Sequence, residues 1–487
     1  MYDAALGVVQ GTASTKKRGR KEIFLKDLSE ELQQLFIGPG GSDEREWHAW
    51  IDKGAIEILD DVTSRKIRSD HPDLVIPTRW VRTNKAEGLE GQSFVAKSRL
   101  VAQGFKDKSL GFYRRDAPTA SALAESICLA VSAFLNFTMI SKDVKNAYFS
   151  GRSLDREIYL SPPKGGLGNL KPTQLLKAKK AIYGFSEAAR MFWVALKGYL
   201  ESDGWTESRL EPALFFLRGD NNQLRGILVT HVDDVEGGVH PDSIESACQH
   251  SSKALEFATN HFREFVFRGR EIKQHKENHI DVSMRNYSLS TRSIKVDAHR
   301  RKQPDSPLTE EEFQAFQSGA GELGWLTRQL RCDLCFENGV IQRAKSTACV
   351  EDLIRLKQYL ASARRGADFR MRYWSDVDLR NGVLIHLADS GHANGTPEKD
   401  GILRYRSVGG YFLLLSNPEI LEDKPAKAVI LAFHSSQTKR VCRSTLAAEA
   451  SHLAEAVEAG DWCCCLLEEA LSGELNLKDW PSIIHKR

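Results

Sequence analysis

The chain has 487 residues, 41% hydrophobic and 27% charged, enough to bury several cores and, on length alone, to form about three domains. Its net charge of +3 sets up no global field that would announce a polyanion partner, and no apolar run approaches the ~18 residues needed to span a bilayer. The polar start Met1-Tyr2-Asp3-Ala4 is no signal peptide, and nine cysteines, an odd number, fit free thiols in a reducing compartment, so an intracellular protein is expected.

Residues 1–24 read as a disordered leader whose Lys16-Lys17-Arg18-Gly19-Arg20-Lys21 cluster suits a nuclear-import signal, a phosphate-binding arm or a solvated tail. Helical periodicity follows over 25–60, with Trp47 and Trp50 as core residues. Residues 75–106 predict a β-hairpin turning at Glu87-Gly88-Leu89-Glu90-Gly91. On its strands Arg79, Arg82, Lys85, Lys97, Arg99 and Lys106 interleave with Trp80, Phe94 and Phe105. Alternation of this kind gives one face that packs and another that can grip phosphates.

An apolar helix is predicted over Ala120 to Leu135, then a strand Thr138 to Asp143, helical segments at Leu175 to Ala181 and Ala188 to Leu200, and a hairpin from Gly226 to Val239. A helix is expected from Asp242 to Phe257 and short strands from Phe265 to Val282. This alternation gives the α+β class. Two helices, Thr309 to Leu330 and Val350 to Ala363, occupy 296–380. Cys332-Asp333-Leu334-Cys335 has zinc-like spacing but no second pair to complete it. From Arg380 a second pattern begins, with strands at Gly382 to Asp389, Val408 to Leu415 and Ala428 to Phe433, and a helix from near Ser444 that carries Glu449.

Chemistry concentrates in Ile227-Leu228-Val229-Thr230-His231-Val232-Asp233-Asp234, an apolar strand ending in two adjacent acids that resist joint ionisation unless a cation is present. The strand ending at Asp143 supplies a third acid. Paired in one sheet, the three could hold two divalent ions about 4 Å apart, the arrangement that promotes in-line phosphoryl transfer; an Asp-Asp before Gly-Gly also marks an ordinary strand-to-turn junction. No Ser-His-Asp set and no Gly-x-x-x-x-Gly-Lys loop is present.

Six further segments narrow the reading. They are Trp80-Val81, Lys97-Ser98-Arg99-Leu100-Val101-Ala102-Gln103-Gly104-Phe105, Ala117-Pro118-Thr119, Val144-Lys145-Asn146-Ala147-Tyr148-Phe149-Ser150-Gly151, Lys179-Lys180-Ala181-Ile182-Tyr183-Gly184-Phe185 and Glu211-Pro212-Ala213-Leu214-Phe215. In order and spacing they resemble the reverse transcriptase of copia-type LTR retrotransposons, from about Glu46 to Trp462. The resemblance implies a fragment of a Pol polyprotein without its upstream capsid, protease and integrase regions. It implies fingers, palm and thumb-like parts over 25–295, a connection segment over 296–380 and an RNase H-like α/β domain over 381–487.

It further implies an RNA-directed DNA polymerase in which Asp143, Asp233 and Asp234 bind Mg²⁺ or Mn²⁺. Tyr148 would lie under the nucleotide sugar as a gate against ribonucleotides, and Lys97, Arg99 and Arg82 would neutralise the triphosphate. RNA template, DNA primer and dNTPs are the implied partners, with no membrane. Asp389 and Glu449 match RNase H positions, but that family needs a further Asp on a later strand, and Asp461 and Asp479 fit it poorly, so the domain is expected to be incomplete. His231 stands where the family carries another aromatic residue. Glu187 and Ala189 replace a Gln and a Pro, and Glu187 would repel an incoming triphosphate. A decayed or repurposed nucleic-acid-binding fragment is the alternative.

Overall fold

The computed structural model describes residues 22–86, 93–144, 147–150, 153–247, 257–394 and 406–485. The basic cluster Lys16 to Lys21, the turn Glu87 to Gly91 and most of the helix expected over Asp242 to Phe257 lie outside the described residues. The chain is α+β, as expected, with four antiparallel or mixed sheets and helices grouped between them.

The region expected to form the fingers, and called so below, begins with helices Glu30–Ile37 and Ser42–Asp52. Both are short for autonomous helices, and they hold because Phe36 and Trp50 are fully buried. Strands Val75–Asn84 and Ala96–Ala102 pair antiparallel at the edge of a five-stranded sheet. The segment Leu175 to Ala181, expected to be helical, contains instead the strand Leu176–Ala178, which pairs with Ile56–Ile58 and Tyr159–Ser161. Backbone pairing on both sides outweighs the local preference of Leu, Lys and Ala for helix.

The region expected to form the palm, and called so below, is a six-stranded sheet in the spatial order 257–262, 138–144, 234–239, 224–231, 214–218, 205–207. Helix Ala122–Phe134 covers one face, started by Ser121, whose hydroxyl accepts from the Ala124 N–H at 3.1 Å and so satisfies one orphan donor of the first turn. Its close approach needs Gly238, and the adjacent Gly237 is needed for the strand pairing. A Cβ on Gly238 would sit 2.1 Å from the Ser132 hydroxyl of that helix, and one on Gly237 would sit 2.0 Å from the Ile227 carbonyl oxygen of the neighbouring strand.

A four-stranded sheet, in the order 264–267, 270–274, 280–283, 370–373, shares one apolar core with helices Glu310–Gln329, Cys335–Ala344 and Val350–Arg365. The first carries a complete capping box from Thr309 and Glu312; the second was not expected from the sequence. Three strands, Val383–Gly391, Val408–Ser416 and Ala428–Gln437, form the last sheet, against which the long helix Thr445–Ser472 packs. Beyond it Trp480–Ile484 is a short helix.

That long helix docks on the palm at its C-terminal end. The buried Glu469 carboxylate accepts from the Ser208 hydroxyl at 2.5 Å and the Arg209 N–H at 2.7 Å. The Arg218 guanidinium donates to the Glu469 and Ala470 carbonyls at 2.6 and 3.0 Å, satisfying acceptors that a helix end leaves open. One apolar cluster runs from Ile127 of the palm helix through Leu323 and Leu356 to Leu413 and Leu467. Among the described residues, no helix is long and apolar enough to cross a membrane.

The backbone contact at Gly237 gives a stability prediction. Gly237→Ala should lower the unfolding free energy by ~1–3 kcal/mol, the usual cost of overpacking, because the clashing atom is a sheet carbonyl that cannot swing aside. Equilibrium urea unfolding measures it, and an unchanged midpoint would show that the sheet yields.

Candidate active site at the palm hairpin

Strands Leu224–His231 and Asp234–Val239 form a hairpin with His231 opposite Asp234 and only Val232 and Asp233 between them. A turn this short demands a left-handed residue, and Val232 supplies it with φ +55°. For a β-branched side chain this is a strained conformation of the kind concentrated at functional sites. On its other side the same strand pairs with Thr138–Val144, which sets Asp234 directly across from Asp143. The Asp233 carbonyl accepts from the Val144 N–H at 3.2 Å. The three acids therefore meet at one end of the sheet, all half-buried.

The surroundings are aromatic on one side and basic on another. Tyr148 is half-buried, edge-on to Tyr183 with ring centroids 4.9 Å apart and to Phe192 at 6.3 Å. Burial, and then the nearby charge of Asp233, push its phenol above the ordinary range, against the pull of Arg99. Tyr183 responds to the same two charged residues and is raised mainly by burial. The Arg99 guanidinium lies 5.2 Å from the centre of the Tyr183 ring. Arg99, exposed on the fingers strand, thus reaches toward the palm acids across Tyr183. Lys97 stands two residues earlier, on the same face by strand alternation.

Glu46, which no sequence pattern singled out, belongs to this neighbourhood. Burial raises its carboxyl, opposed by the Leu100 N–H, the Trp50 indole and the charges of Arg99 and Lys97. His231 is half-buried, and burial, with Arg268 close by, moves its imidazole below the ordinary value. The shift favours the neutral ring at the hairpin.

Two expectations need correction. Arg82 does not face the site: its guanidinium bonds both oxygens of Asp43, Nε at 3.1 and 3.2 Å and Nη2 at 2.5 Å, and Ser98 donates to the same carboxylate at 2.5 Å. It ties the hairpin to helix Ser42–Asp52. Glu187 does not present an open charge to a triphosphate either. It is buried and accepts from Arg156 Nε at 2.9 Å and from Arg156 Nη2 as well, while Arg156 Nη2 also meets Asp107 at 2.7 Å. Arg156 in turn lies 4.5 Å from the Tyr113 ring centre.

The Tyr183-Gly184 segment interlocks with the fingers strand. Ala102 donates its N–H to the Tyr183 carbonyl at 2.8 Å. Gly184 has φ +97°, and a Cβ there would lie 2.0 Å from the Ala102 carbonyl oxygen. Only glycine satisfies both conditions.

Asp389 and Glu449 are not brought together as a pair. His386 Nδ1–H donates to the Ala456 carbonyl of the long helix at 3.1 Å, so strand alternation turns Asp389 to the face away from the helix that carries Glu449. There Asp389 borders a cleft of 640 Å³ with Phe336, Leu387, Tyr411 and His434.

Residues 66–292 match the family model of the reverse transcriptase (RNA-dependent DNA polymerase). The chain is 24% identical over 411 residues to the retrovirus-related Pol polyproteins from transposons RE1 and RE2 of Arabidopsis thaliana, covering 81% of this chain and 26% of each relative. It is 28% identical over 158 residues to that from transposon TNT 1-94 of Nicotiana tabacum, covering 32% of this chain and 12% of the relative. It thus spans about a quarter of the length of the first two relatives. A foamy viral protease-reverse transcriptase solved in complex with double-stranded DNA superposes with a TM-score of 0.48 at 12% identity, over 87% of this chain and 60% of that one. Residues 66–292 are thus similar to a reverse transcriptase domain, the resemblance that the motifs carry.

The Arg156 cluster generates a test. Arg156→Ala leaves Asp107 and Glu187 as buried, uncompensated acids and should cost ~3–5 kcal/mol of stability in urea unfolding. Glu187→Gln should cost much less, since it removes a charge and keeps a hydrogen-bond acceptor.

Proposed function

We propose that this chain is an RNA-directed DNA polymerase that joins dNTPs to the 3′-hydroxyl of a DNA primer on an RNA template. The observation that carries the proposal is the cross-strand placement of Asp234 against Asp143 with Asp233 in the adjoining turn. Like charges directly opposite one another in a sheet repel, and a cation between them would relieve that repulsion.

The donor set is oxygen alone, which fits a hard divalent ion such as Mg²⁺ or Mn²⁺ and not zinc. Asp143 and Asp233 would hold the metals in common, with Asp234 in support. When bound, such ions lower the pKa of an attacking hydroxyl and offset charge on the phosphates. The other residues have separable tasks. Arg99 and Lys97 carry positive charge at the fingers rim for the triphosphate. Tyr148, braced edge-on by Tyr183 and Phe192, offers a ring against which a deoxyribose packs and a 2′-hydroxyl does not fit.

A decayed fragment that only binds nucleic acid would need the basic rim and not the acids, and all three acids stand at one sheet end. Cleavage of an RNA strand is no part of the proposal, given the opposed faces of Asp389 and Glu449.

Primer extension on an RNA template with Mg²⁺ and dNTPs is the direct test. Asp233→Asn should lower incorporation by about 10²-fold or more, the scale of losing one electrostatic element of the transition state; extension at the unmodified rate would sink the assignment. Tyr148→Ala should raise ribonucleotide incorporation relative to deoxynucleotide with template binding unchanged. A constant ratio between the two sugars would make Tyr148 a packing residue only.

A further inference from the structure

The strands Arg270–Gln274 and Ile280–Ser283 are joined by a turn that carries its own constellation, remote in kind from the palm acids. His275 donates its N–H to the His279 carbonyl at 2.9 Å, and Asn278 closes the turn with φ +63°. That makes His275 and His279 cross-strand neighbours, with rings stacked 4.2 Å apart at 17°. Two residues on, Asp281 Oδ2 lies 3.1 Å from His275 Nε2. One ligand atom from each of the three residues lies within 4.8 Å of the others. Four ligands at ~2.0–2.1 Å around a tetrahedral ion are separated by about 3.3 Å. The His275–Asp281 edge, at 3.1 Å, is close to that length.

The supports around these groups match those of metal ligands. Arg372 fixes the carboxylate, donating from Nε to Oδ1 at 2.5 Å and from Nη2 to Oδ2 at 2.8 Å, and is itself held 4.9 Å from the Trp374 ring centre. A ligating carboxylate is ordinarily oriented by outer hydrogen bonds of this sort. His279 rests against Trp374 at 5.9 Å. Glu277, exposed, places Oε2 3.9 Å from His279 Nδ1, so the run His275, Glu277, His279, Asp281 sets four metal-binding side chains at alternate positions around one turn.

We propose that His275, His279 and Asp281 form a binding site for a zinc-class divalent transition ion, with Glu277 or a water in the fourth position. Two imidazole nitrogens and one carboxylate select such an ion over Mg²⁺. The ion clamps the turn that joins two strands of the four-stranded sheet. The site is independent of the polymerase reading.

Purified full-length chain, stripped with a chelator and dialysed against Zn²⁺ in excess Mg²⁺, should retain about one zinc per chain and show a raised melting temperature. His279→Ala and the milder His279→Gln should each weaken zinc binding by about 10²-fold or more, because losing a ligand costs no less than losing an outer hydrogen bond. Their melting temperatures without metal, compared with the stripped parent, report whether they fold. Co²⁺ in place of zinc should give tetrahedral absorption bands without the sulfur-to-metal band that Cys332 and Cys335 would produce. Asp233→Asn should keep the zinc. Failure to retain zinc, retention unchanged in both folded His279 variants, a thiolate band, or loss of zinc in Asp233→Asn would each overturn the assignment.

Discussion

Two glutamates and two arginines enclosed between three layers hold the palm in its shape. Glu125 of the palm helix meets Arg268 and, at 2.9 Å, Arg270 Nη2; the same nitrogen lies 3.5 Å from Glu236 Oε2 on the acid hairpin. Glu236 is wholly buried, and burial pushes its carboxyl up to about 8 despite Arg270. Charges withdrawn from water in this way contribute little net stability when complete and cost several kcal/mol when one partner is lost. What they supply is placement. Helix, hairpin and the Arg268-Gly269 turn are thereby held in one mutual arrangement, and the candidate acid Asp234 stands two residues from Glu236 on the same strand.

Against this rigid base the hairpin tip stores the opposite kind of energy. Val232 adopts a backbone conformation its side chain disfavours, and Asp143 and Asp234 face each other across a strand pair. Both are tolerable because the strands behind them are deeply buried: Ile227, Val229 and Val239 have no exposed surface. Stability in the sheet thus offsets strain at its end, the usual distribution between a scaffold and a site.

Much of this was legible in the residues because the relevant signals are local. A short continuous apolar run places Ile227 to Val229 in a strand, and the Asp233-Asp234 break ends it. Apolar spacing gives the helix at Ala122–Phe134, and Thr309 with Glu312 marks another. The failures share a cause of the opposite kind. Leu176–Ala178 is a strand only because residues 56–58 and 159–161 flank it. Glu187 looks repulsive until Arg156, 31 positions earlier, is seen to neutralise it. Arg82 looks available until Asp43, 39 positions away, is seen to hold it. Partners at such separations leave no mark in a local window, and Glu46 escaped notice for the same reason.

The docking of the long helix bears on how the molecule is made. Ser208 and Glu469 are 261 positions apart, and the apolar side chains of the palm helix share a core with Leu413 and Leu467. A nascent chain at ≈ 5–20 residues per second therefore finishes the palm many seconds before the helix that covers it leaves the ribosome. During that interval the apolar surface later buried beneath it faces solvent, and association with other unfinished chains competes with completion of the fold.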